Sequence, residues 1–246
     1  MSKISISLPL VDFHLDCNKR VKAAALCDFL QTAATVHADS LGVGMLDLQK
    51  RGVTWMLAKM DIQFIAEPVP RDVLTLETWP AGTRAGIVCV RNYRIRSPRG
   101  EVLLEATRDW VCVDMETRKL ARLSPEILAI TDDEPEQFSF PPLPKMAKDA
   151  FAPAGECDIP VRRADMDLNR HVNNVHYIEW LFEPMSDEAY GRHLRRLSIS
   201  YHAEAVSGDV VHSEVGAAEA ADGAILTSHT LHRGETLLTK AQCQWN

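Results

Sequence analysis

Two internal matches limit the folds available to this chain more than any other feature of its sequence. Residues 64–73 and 201–210 share the pattern aromatic-x-Ala-Glu-x-Val-x-x-Asp-Val at an offset of 137 positions. Residues 99–104 and 233–238 both begin Arg-Gly-Glu and end Leu-Leu, at an offset of 134 positions. Two matches in the same order at nearly equal offsets indicate a duplicated structural unit.

Each half of the chain contains one helical pattern followed by several strand patterns. In the first half, a helix is predicted over residues 19–40, with Asn18 as its N-cap. The residues predicted to share one face of this helix are Leu26, Phe29, Leu30, Ala33, Ala34 and His37. Strands are predicted in this half at residues 53–66, 73–80, 87–96 and 102–114. The second half has a helical pattern over residues 172–182. Its predicted strands are residues 157–161, 194–203, 210–217, 224–232 and 236–244.

These patterns predict an α+β protein made of two tandem hotdog domains. An antiparallel sheet with one apolar face needs a cover, and a long helix around which the sheet wraps can supply it. We expect domains at residues 1–130 and 155–246, joined by a proline-rich linker at residues 131–154. Pairing the two sheets edge to edge as a pseudo-dimer would hide exposed strand edges.

Composition and charge exclude several classes of protein. The formal net charge of −7 over 246 residues argues against general nucleic-acid binding. No apolar run approaches the ~20 residues of a membrane helix, and the alternating first ten residues do not resemble a signal peptide. The six cysteines form no Cys-x-x-Cys pair, so we interpret them as reduced thiols of a cytoplasmic protein.

An acid, an amide and an imidazole stand at alternate positions just before the second helix, as Asp167, Asn169 and His171. Alternate residues of an extended segment face the same way. The N–H groups that open a helix are unpaired and partly positive, so they can stabilise the oxyanion of an acyl-transfer reaction. The pattern therefore favours acyl-transfer chemistry, while a purely structural capping role for Asn169 remains the alternative.

Other kinds of site fit the sequence poorly. A calcium loop would need Gly and Glu where this segment has Arg170 and His176. His171 and His176 are five positions apart, which does not suit a zinc site on one helix face. No Gly-x-Ser-x-Gly elbow or phosphate-binding glycine loop occurs. We therefore predict neither a metal nor a cofactor.

The stretch 167–174, Asp-Leu-Asn-Arg-His-Val-Asn-Asn, followed by Tyr177-Ile178-x-Trp180, resembles the acyl-ACP thioesterases of plants and bacteria. Residues 50–60, 107–111 and 116–120 extend the resemblance over most of the chain. It implies a thioester hydrolase that releases fatty acid from acyl carrier protein and ends fatty acid synthesis. The implied partner is acyl carrier protein bearing an acyl-phosphopantetheine group.

The resemblance also implies roles for individual residues. Asp167, Asn169 and His171 correspond to catalytic residues of the family, and Glu204 corresponds to a fourth. Plant members have a cysteine after this glutamate, but this chain has Ala205, which rules out a cysteine nucleophile there. Two mechanisms remain open: activation of water by Glu204 or His171, and direct attack by Glu204.

The first half is predicted to lack chemistry. Glu67 occupies the position of Glu204 there, but no Asp-x-Asn-x-His precedes the first helix, so we expect one active site per chain. The resemblance instead implies that the first domain holds the acyl chain, and ordinary core packing is the alternative. The predicted substrate-binding residues are Asn174 in the second half and Leu26, Leu30, Ala34, Trp55, Met56 and Met60 in the first.

Arginines cluster in the second half, where an acidic carrier protein would be attracted in a salt-dependent way. The predicted docking residues are Arg162, Arg170, Arg195 and Arg196, with Arg163 and Arg192 nearby in sequence. A solvated surface is the alternative interpretation.

A coenzyme A thioesterase, a hydroxyacyl dehydratase and a non-catalytic acyl-binding protein remain alternative functions. We expect the chain to be a monomer or a homodimer.

Overall fold

The computed structural model describes residues 3–130, 136, 138–144, 150–220 and 223–246. The chain divides into two compact units, residues 1–139 and 140–246. Much of the predicted linker lies outside the described residues. All six cysteines are free. Within the described ranges, every helix is too short or too polar to cross a lipid bilayer.

Unit 1 is a sheet of antiparallel strands with one long helix packed on it. Its elements are β1 (Ile4–Pro9), α1 (Ala23–Ser40), α2 (Met45–Gln49), β2 (Val53–Phe64), β3 (Val73–Arg84), β4 (Val88–Arg96), β5 (Val102–Asp114), β6 (Leu120–Ala121) and α3 (Pro125–Ala129). The strands are ordered β1-β3-β4-β5-β2, and the short β6 pairs with β5. Helix α1 packs against β3 and β1, as expected for a hotdog domain.

The apolar face of α1 is the one that the sequence predicts. Its buried residues are Ala24, Leu26, Cys27, Phe29, Leu30, Ala33, Ala34 and His37. The predicted start of the helix is wrong, because α1 begins at Ala23 and its N-cap position is Lys22, which makes no side-chain capping bond. Asn18 instead donates its main-chain N–H to Asp16 Oδ1 at 2.8 Å, inside a separate turn.

Unit 2 repeats this arrangement with a shorter helix. Its elements are β7 (Ala152–Pro160), α4 (Asn174–Phe182), α5 (Asp187–Tyr190), β8 (Leu194–Tyr201), β9 (Val210–Glu219), β10 (Ile225–Arg233) and β11 (Thr236–Trp245). The strand order β7-β9-β10-β11-β8 matches that of unit 1, strand for strand. The repeated Arg-Gly-Glu segments form equivalent hairpins, with Gly100 at φ +84° and Gly234 at φ +54°. The predicted antiparallel sheet with a covering helix is confirmed in each unit.

The interior of unit 1 contains two buried guanidinium groups. Arg91 and Arg108 face each other across β4 and β5, with 6% and 0% of their surface exposed. Arg108 Nη2 donates to the Cys27 carbonyl oxygen at 2.9 Å, and Arg91 Nη1 donates to His37 Nδ1 at 2.9 Å. Both guanidinium groups are therefore held by polar atoms of α1 inside unit 1.

The interior of unit 2 contains a buried histidine on a strand. His229 is fully buried; its Nδ1 donates to the Leu181 carbonyl oxygen at 2.8 Å, and its Nε2 lies 2.8 Å from Thr227 Oγ1. Burial lowers the pKa of His229 to about 4, although the Leu181 carbonyl acts in the opposite direction. The imidazole is therefore neutral at neutral pH.

Candidate active site

The predicted acid, amide and imidazole lie in a tight turn before α4 and not in an extended segment. Asp167 Oδ1 accepts the N–H groups of Asn169 at 2.8 Å and His171 at 3.3 Å. The Asp167 N–H donates to the His171 carbonyl oxygen at 2.7 Å, and Arg170 is left-handed at φ +64°. The prediction that this segment is extended is therefore wrong, because an aspartate at this position bonds the main chain two and four residues ahead.

His171 and Glu204 form a close pair within unit 2. His171 Nε2 lies 3.1 Å from Glu204 Oε2, and the two side chains are 23% and 27% exposed. Glu204 follows the end of β8, in the loop that leads to β9. Two groups far apart in sequence thus meet at hydrogen-bonding distance, partly accessible, as proton transfer to a bound molecule requires.

The main chain beside Glu204 is held by three hydrogen bonds. The Val172 N–H donates to the Ala205 carbonyl oxygen at 2.9 Å, which joins the loop to the turn before α4. Tyr177 Oη accepts the Ala205 N–H at 2.8 Å, and Arg233 Nη1 donates to the Glu204 carbonyl oxygen at 3.2 Å. The sequence did not identify Tyr177 or Arg233 as site residues. Tyr177 lies in the segment that resembles the thioesterase signature, and Arg233 begins the second of the two repeated Arg-Gly-Glu segments.

The start of α4 is capped by a side chain. Asn173 Oδ1 accepts the Val175 N–H at 3.2 Å, so that N–H is already engaged and cannot be the expected oxyanion donor without breaking the cap. Asn174, a predicted substrate-binding residue, is the first residue of α4, and its carbonyl oxygen accepts the Tyr201 hydroxyl at 3.3 Å.

The predicted acyl-binding residues of unit 1 lie in more than one environment. Leu30 and Met60 are completely buried, and Met60 Sδ lies 3.1 Å from Arg108 Nε. Trp55 packs at a separate cluster that includes Val43, whose carbonyl oxygen accepts the indole N–H at 2.8 Å. Met56 is half-buried on the same strand as Trp55. Their role in binding an acyl chain stays a prediction.

The predicted docking arginines differ in accessibility. Arg196 is 8% exposed, donates to the Pro141 carbonyl oxygen at 3.0 Å and lies over the Phe140 ring, so its inclusion as a surface docking charge is wrong. Arg162 forms a salt bridge with the buried Asp165 at 2.7 Å, which offsets much of its charge. Arg195 is half-buried and Arg170 is exposed.

Unit 1 contains a second copy of the turn. Asp16 Oδ1 accepts the N–H groups of Asn18 at 2.8 Å and Arg20 at 2.9 Å, and the Asp16 N–H donates to the Arg20 carbonyl oxygen at 2.8 Å. Lys19 is left-handed at φ +63°. Arg20 therefore occupies the position of His171. The search for internal repeats missed this copy because the two turns are 151 positions apart, whereas the aromatic-x-Ala-Glu segments are 137 positions apart.

Comparisons with known proteins agree with this architecture. The acyl-ACP thioesterase N-terminal domain matches residues 8–131, and the acyl-ACP thioesterase C-terminal domain matches residues 150–246. Oleoyl-acyl carrier protein thioesterase 1 of Arabidopsis thaliana is 30% identical over 222 residues, covering 82% of this chain and 60% of that protein. This chain therefore spans about 60% of the length of that relative.

Two solved structures have the same fold over nearly the whole chain. The 12:0-ACP thioesterase from Umbellularia californica superposes with a TM-score of 0.87 at 20% identity, covering 99% of this chain and 94% of that one. An acyl-ACP thioesterase from Bacteroides thetaiotaomicron superposes with a TM-score of 0.81 at 21% identity, covering 99% and 98%. Because both family domains match in order and together cover most of the chain, this protein belongs to the acyl-ACP thioesterase family.

Proposed function

We propose that this protein hydrolyses fatty acyl thioesters carried by acyl carrier protein and releases the free fatty acid and the holo-carrier protein. The observation that carries the proposal is the 3.1 Å contact between His171 Nε2 and Glu204 Oε2 in the unit that contains the family's signature. An imidazole and a carboxylate at this distance form a general acid–base pair. The names of the relatives supply the substrate class.

In the first mechanism, the pair activates water. Glu204 or His171 takes a proton from a water molecule whose oxygen forms a bond to the thioester carbonyl carbon. The carbon–sulfur bond of the tetrahedral intermediate then breaks, and the thiolate leaves and is protonated. Asp167 contributes by fixing the turn that carries His171, and Asn169 is proposed to hold the water or the carbonyl oxygen by a hydrogen bond.

In the second mechanism, a Glu204 carboxylate oxygen attacks the carbonyl carbon itself. The carbon–sulfur bond breaks, the thiolate departs, and the acyl group remains on Glu204 as an anhydride, which water then hydrolyses. A single turnover in ¹⁸O-labelled water, followed by mass spectrometry of the Glu204 peptide, tests the covalent route, and label in that carboxylate supports it. Water that attacks the fatty-acyl carbon of the anhydride would leave the peptide unlabelled, so rapid-quench mass spectrometry for an acyl–Glu204 adduct decides that case. An adduct supports the covalent route, and its absence during turnover supports water activation.

The reaction and the carrier are tested by assaying the purified chain on acyl-ACPs of graded length and on the matched acyl-CoAs. The proposal predicts thiol release, with higher kcat/KM for the carrier-linked substrates. Formation of an enoyl product without thiol would indicate a dehydratase. Binding without turnover would indicate a non-catalytic acyl-binding protein. A higher kcat/KM for acyl-CoA than for acyl-ACP would indicate a coenzyme A thioesterase.

We propose that Arg170, with smaller contributions from Arg162 and Arg195, attracts the acidic carrier protein. Arg170 is exposed and follows the catalytic turn's Asn169 directly. Arg170→Glu should raise KM for acyl-ACP more than KM for acyl-CoA, with a difference that shrinks at high salt. Equal effects on both substrates would contradict docking through this residue.

We also propose that apolar residues of unit 1 hold the acyl chain. The support is the apolar buried face of α1, which includes Leu30, together with the buried Met60 of β2. Arg108 contacts both Met60 Sδ and the Cys27 carbonyl oxygen of α1. Leu30→Ala enlarges this interior and should shift the preferred acyl length upward. An unchanged length profile in a folded variant would assign Leu30 to core packing alone.

Action in the cytoplasm is proposed from the six free cysteines. A tagged full-length protein found in the cytosolic fraction would agree with this location, and recovery from another compartment would contradict it.

A further inference from the structure

We propose that Tyr177, assisted by Arg233, is a positioning residue that holds the Glu204 carboxylate against His171. The inference deepens the proposed function, because it names residues that support its acid–base pair without touching the reacting atoms. It begins from the place of Glu204, which lies in a loop after β8 and not in a strand of the sheet. A side chain on a loop keeps a catalytic geometry only if its main chain is fixed by other contacts.

The first contact is the hydrogen bond from the Ala205 N–H to Tyr177 Oη at 2.8 Å. Ala205 is completely buried and Tyr177 is 3% exposed, so water cannot readily replace either partner. Burial raises the pKa of Tyr177 to about 12, with the Ala205 N–H opposing and the charge of Glu204 adding to the rise. The phenol is therefore neutral at working pH, and its oxygen is a stable acceptor.

The second contact fixes the carbonyl of Glu204 itself. Arg233 Nη1 donates to that oxygen at 3.2 Å and to Asp209 Oδ2 at 3.0 Å. Partial burial would raise the pKa of Asp209, but the Val206 N–H and the Arg233 guanidinium hold it below its ordinary value. Asp209 is thus ionised and anchors Arg233, so the single peptide group between Glu204 and Ala205 is held at its N–H and at its carbonyl oxygen by side chains from other elements.

The equivalent positions of unit 1 lack this arrangement. Counted from the two turns, at an offset of 151 positions, Leu26 stands where unit 2 has Tyr177. Counted in the aromatic-x-Ala-Glu repeat, at an offset of 137 positions, Pro68 stands where unit 2 has Ala205. Pro68 has no N–H to donate and Leu26 has no acceptor, so donor and acceptor are missing together. The hydrogen bond between the Tyr177 hydroxyl and the Ala205 N–H therefore has no counterpart between Leu26 and Pro68 in unit 1.

Tyr177→Phe tests the proposal because it removes one oxygen atom and keeps the ring packing. The buried Ala205 N–H would lose its acceptor, and the loop would shift to find another. We expect kcat on acyl-ACP to fall about 10-fold or more, with KM changed by less than about two-fold. Tyr190→Phe, a hydroxyl deletion elsewhere in unit 2, is the matched control and should leave kcat within about two-fold.

Arg233→Met removes the hydrogen bond to the carbonyl oxygen of the same peptide group and serves if Tyr177→Phe fails to fold. We expect a smaller loss of kcat, about three-fold to 10-fold, again without a matching rise in KM. Wild-type kcat in both variants would overturn the proposal. So would a loss that simply follows the unfolded fraction measured by circular dichroism.

A second readout does not depend on turnover and so separates this inference from the proposed function. The ¹⁵N chemical shift of His171 Nε2 reports its contact with Glu204. We expect this chemical shift to change in Tyr177→Phe and to remain at the wild-type value in Tyr190→Phe. If wild-type protein hydrolyses no thioester but the signal moves, the proposed function fails and the positioning role stands. An unchanged signal would refute the positioning role even in an active enzyme.

Discussion

The turns at residues 16–20 and 167–171 share their main-chain hydrogen bonds but differ in the side chain that would do chemistry. Each aspartate accepts two N–H groups through one oxygen, and each turn has a left-handed residue at its fourth position. The fifth residue is Arg20 in unit 1 and His171 in unit 2. The aspartate and its turn therefore have a structural role in both units, and the proposed chemistry depends on the side chain at the fifth position of the turn.

Exchanging the two side chains should give the largest effect. Arg20 demonstrates that the turn accepts an arginine, so His171→Arg should fold normally yet lose the imidazole that transfers protons. We expect kcat on acyl-ACP to fall about 1,000-fold. The reciprocal Arg20→His should stay within about two-fold of wild type. Steady-state kinetics and thermal melts measure both, and appreciable turnover by His171→Arg would remove the histidine from the mechanism.

The two matched glutamates give the next comparison. Glu204→Gln keeps the size and the hydrogen bond to His171 but cannot accept a proton or attack a carbonyl. We expect kcat to fall about 100-fold, whereas Glu67→Gln, at an exposed position of unit 1, should change it by less than about two-fold. Equal losses from the two substitutions would mean that the two units do not differ as proposed.

Acid should destabilise unit 2 through its buried His229. The pKa of His229 is lowered to about 4, so the unfolded imidazole binds a proton below about pH 6.5 while the folded one does not. Its contribution to the free energy of unfolding is therefore complete above pH 6.5 and declines as the pH falls toward 4, by roughly 3 kcal/mol in total.

Urea unfolding at about pH 7.5 and about pH 5 measures this effect, with His229→Gln as the control. Glutamine can still donate to the Leu181 carbonyl but does not titrate. The wild type should lose about 2 kcal/mol more than the control between the two conditions. A histidine NMR titration that placed the pKa of His229 near 6.5 would contradict the explanation.

The smallest effect concerns the left-handed residues of the turns. Lys19 and Arg170 have φ values of +63° and +64°, where a side chain is strained and glycine is not. Lys19→Gly and Arg170→Gly should each stabilise the protein by less than about 1 kcal/mol, because the greater entropy of glycine in the unfolded chain offsets part of the gain. Thermal melts should give similar shifts; opposite signs would show that the turns are not equivalent.

Most of the fold followed from the sequence. The alternation of strands, the apolar face of α1 and the Arg-Gly-Glu hairpins are local patterns, and residues near in sequence decide them. The errors are local too. Asn18 was interpreted as a helix cap because asparagine suits that role, but the neighbouring Asp16 captures its N–H and delays the helix to Ala23.

The sequence by itself determined which residue types are available: the signature at 167–174, the repeated glutamates and the duplicated unit. Only the tertiary structure decided that Glu204 meets His171, that Tyr177 and Arg233 hold the loop between them, and that Arg196 is buried. The reason is physical. A hydrogen bond between groups 33 positions apart depends on where two strands and a helix place their ends, and no local pattern encodes that distance.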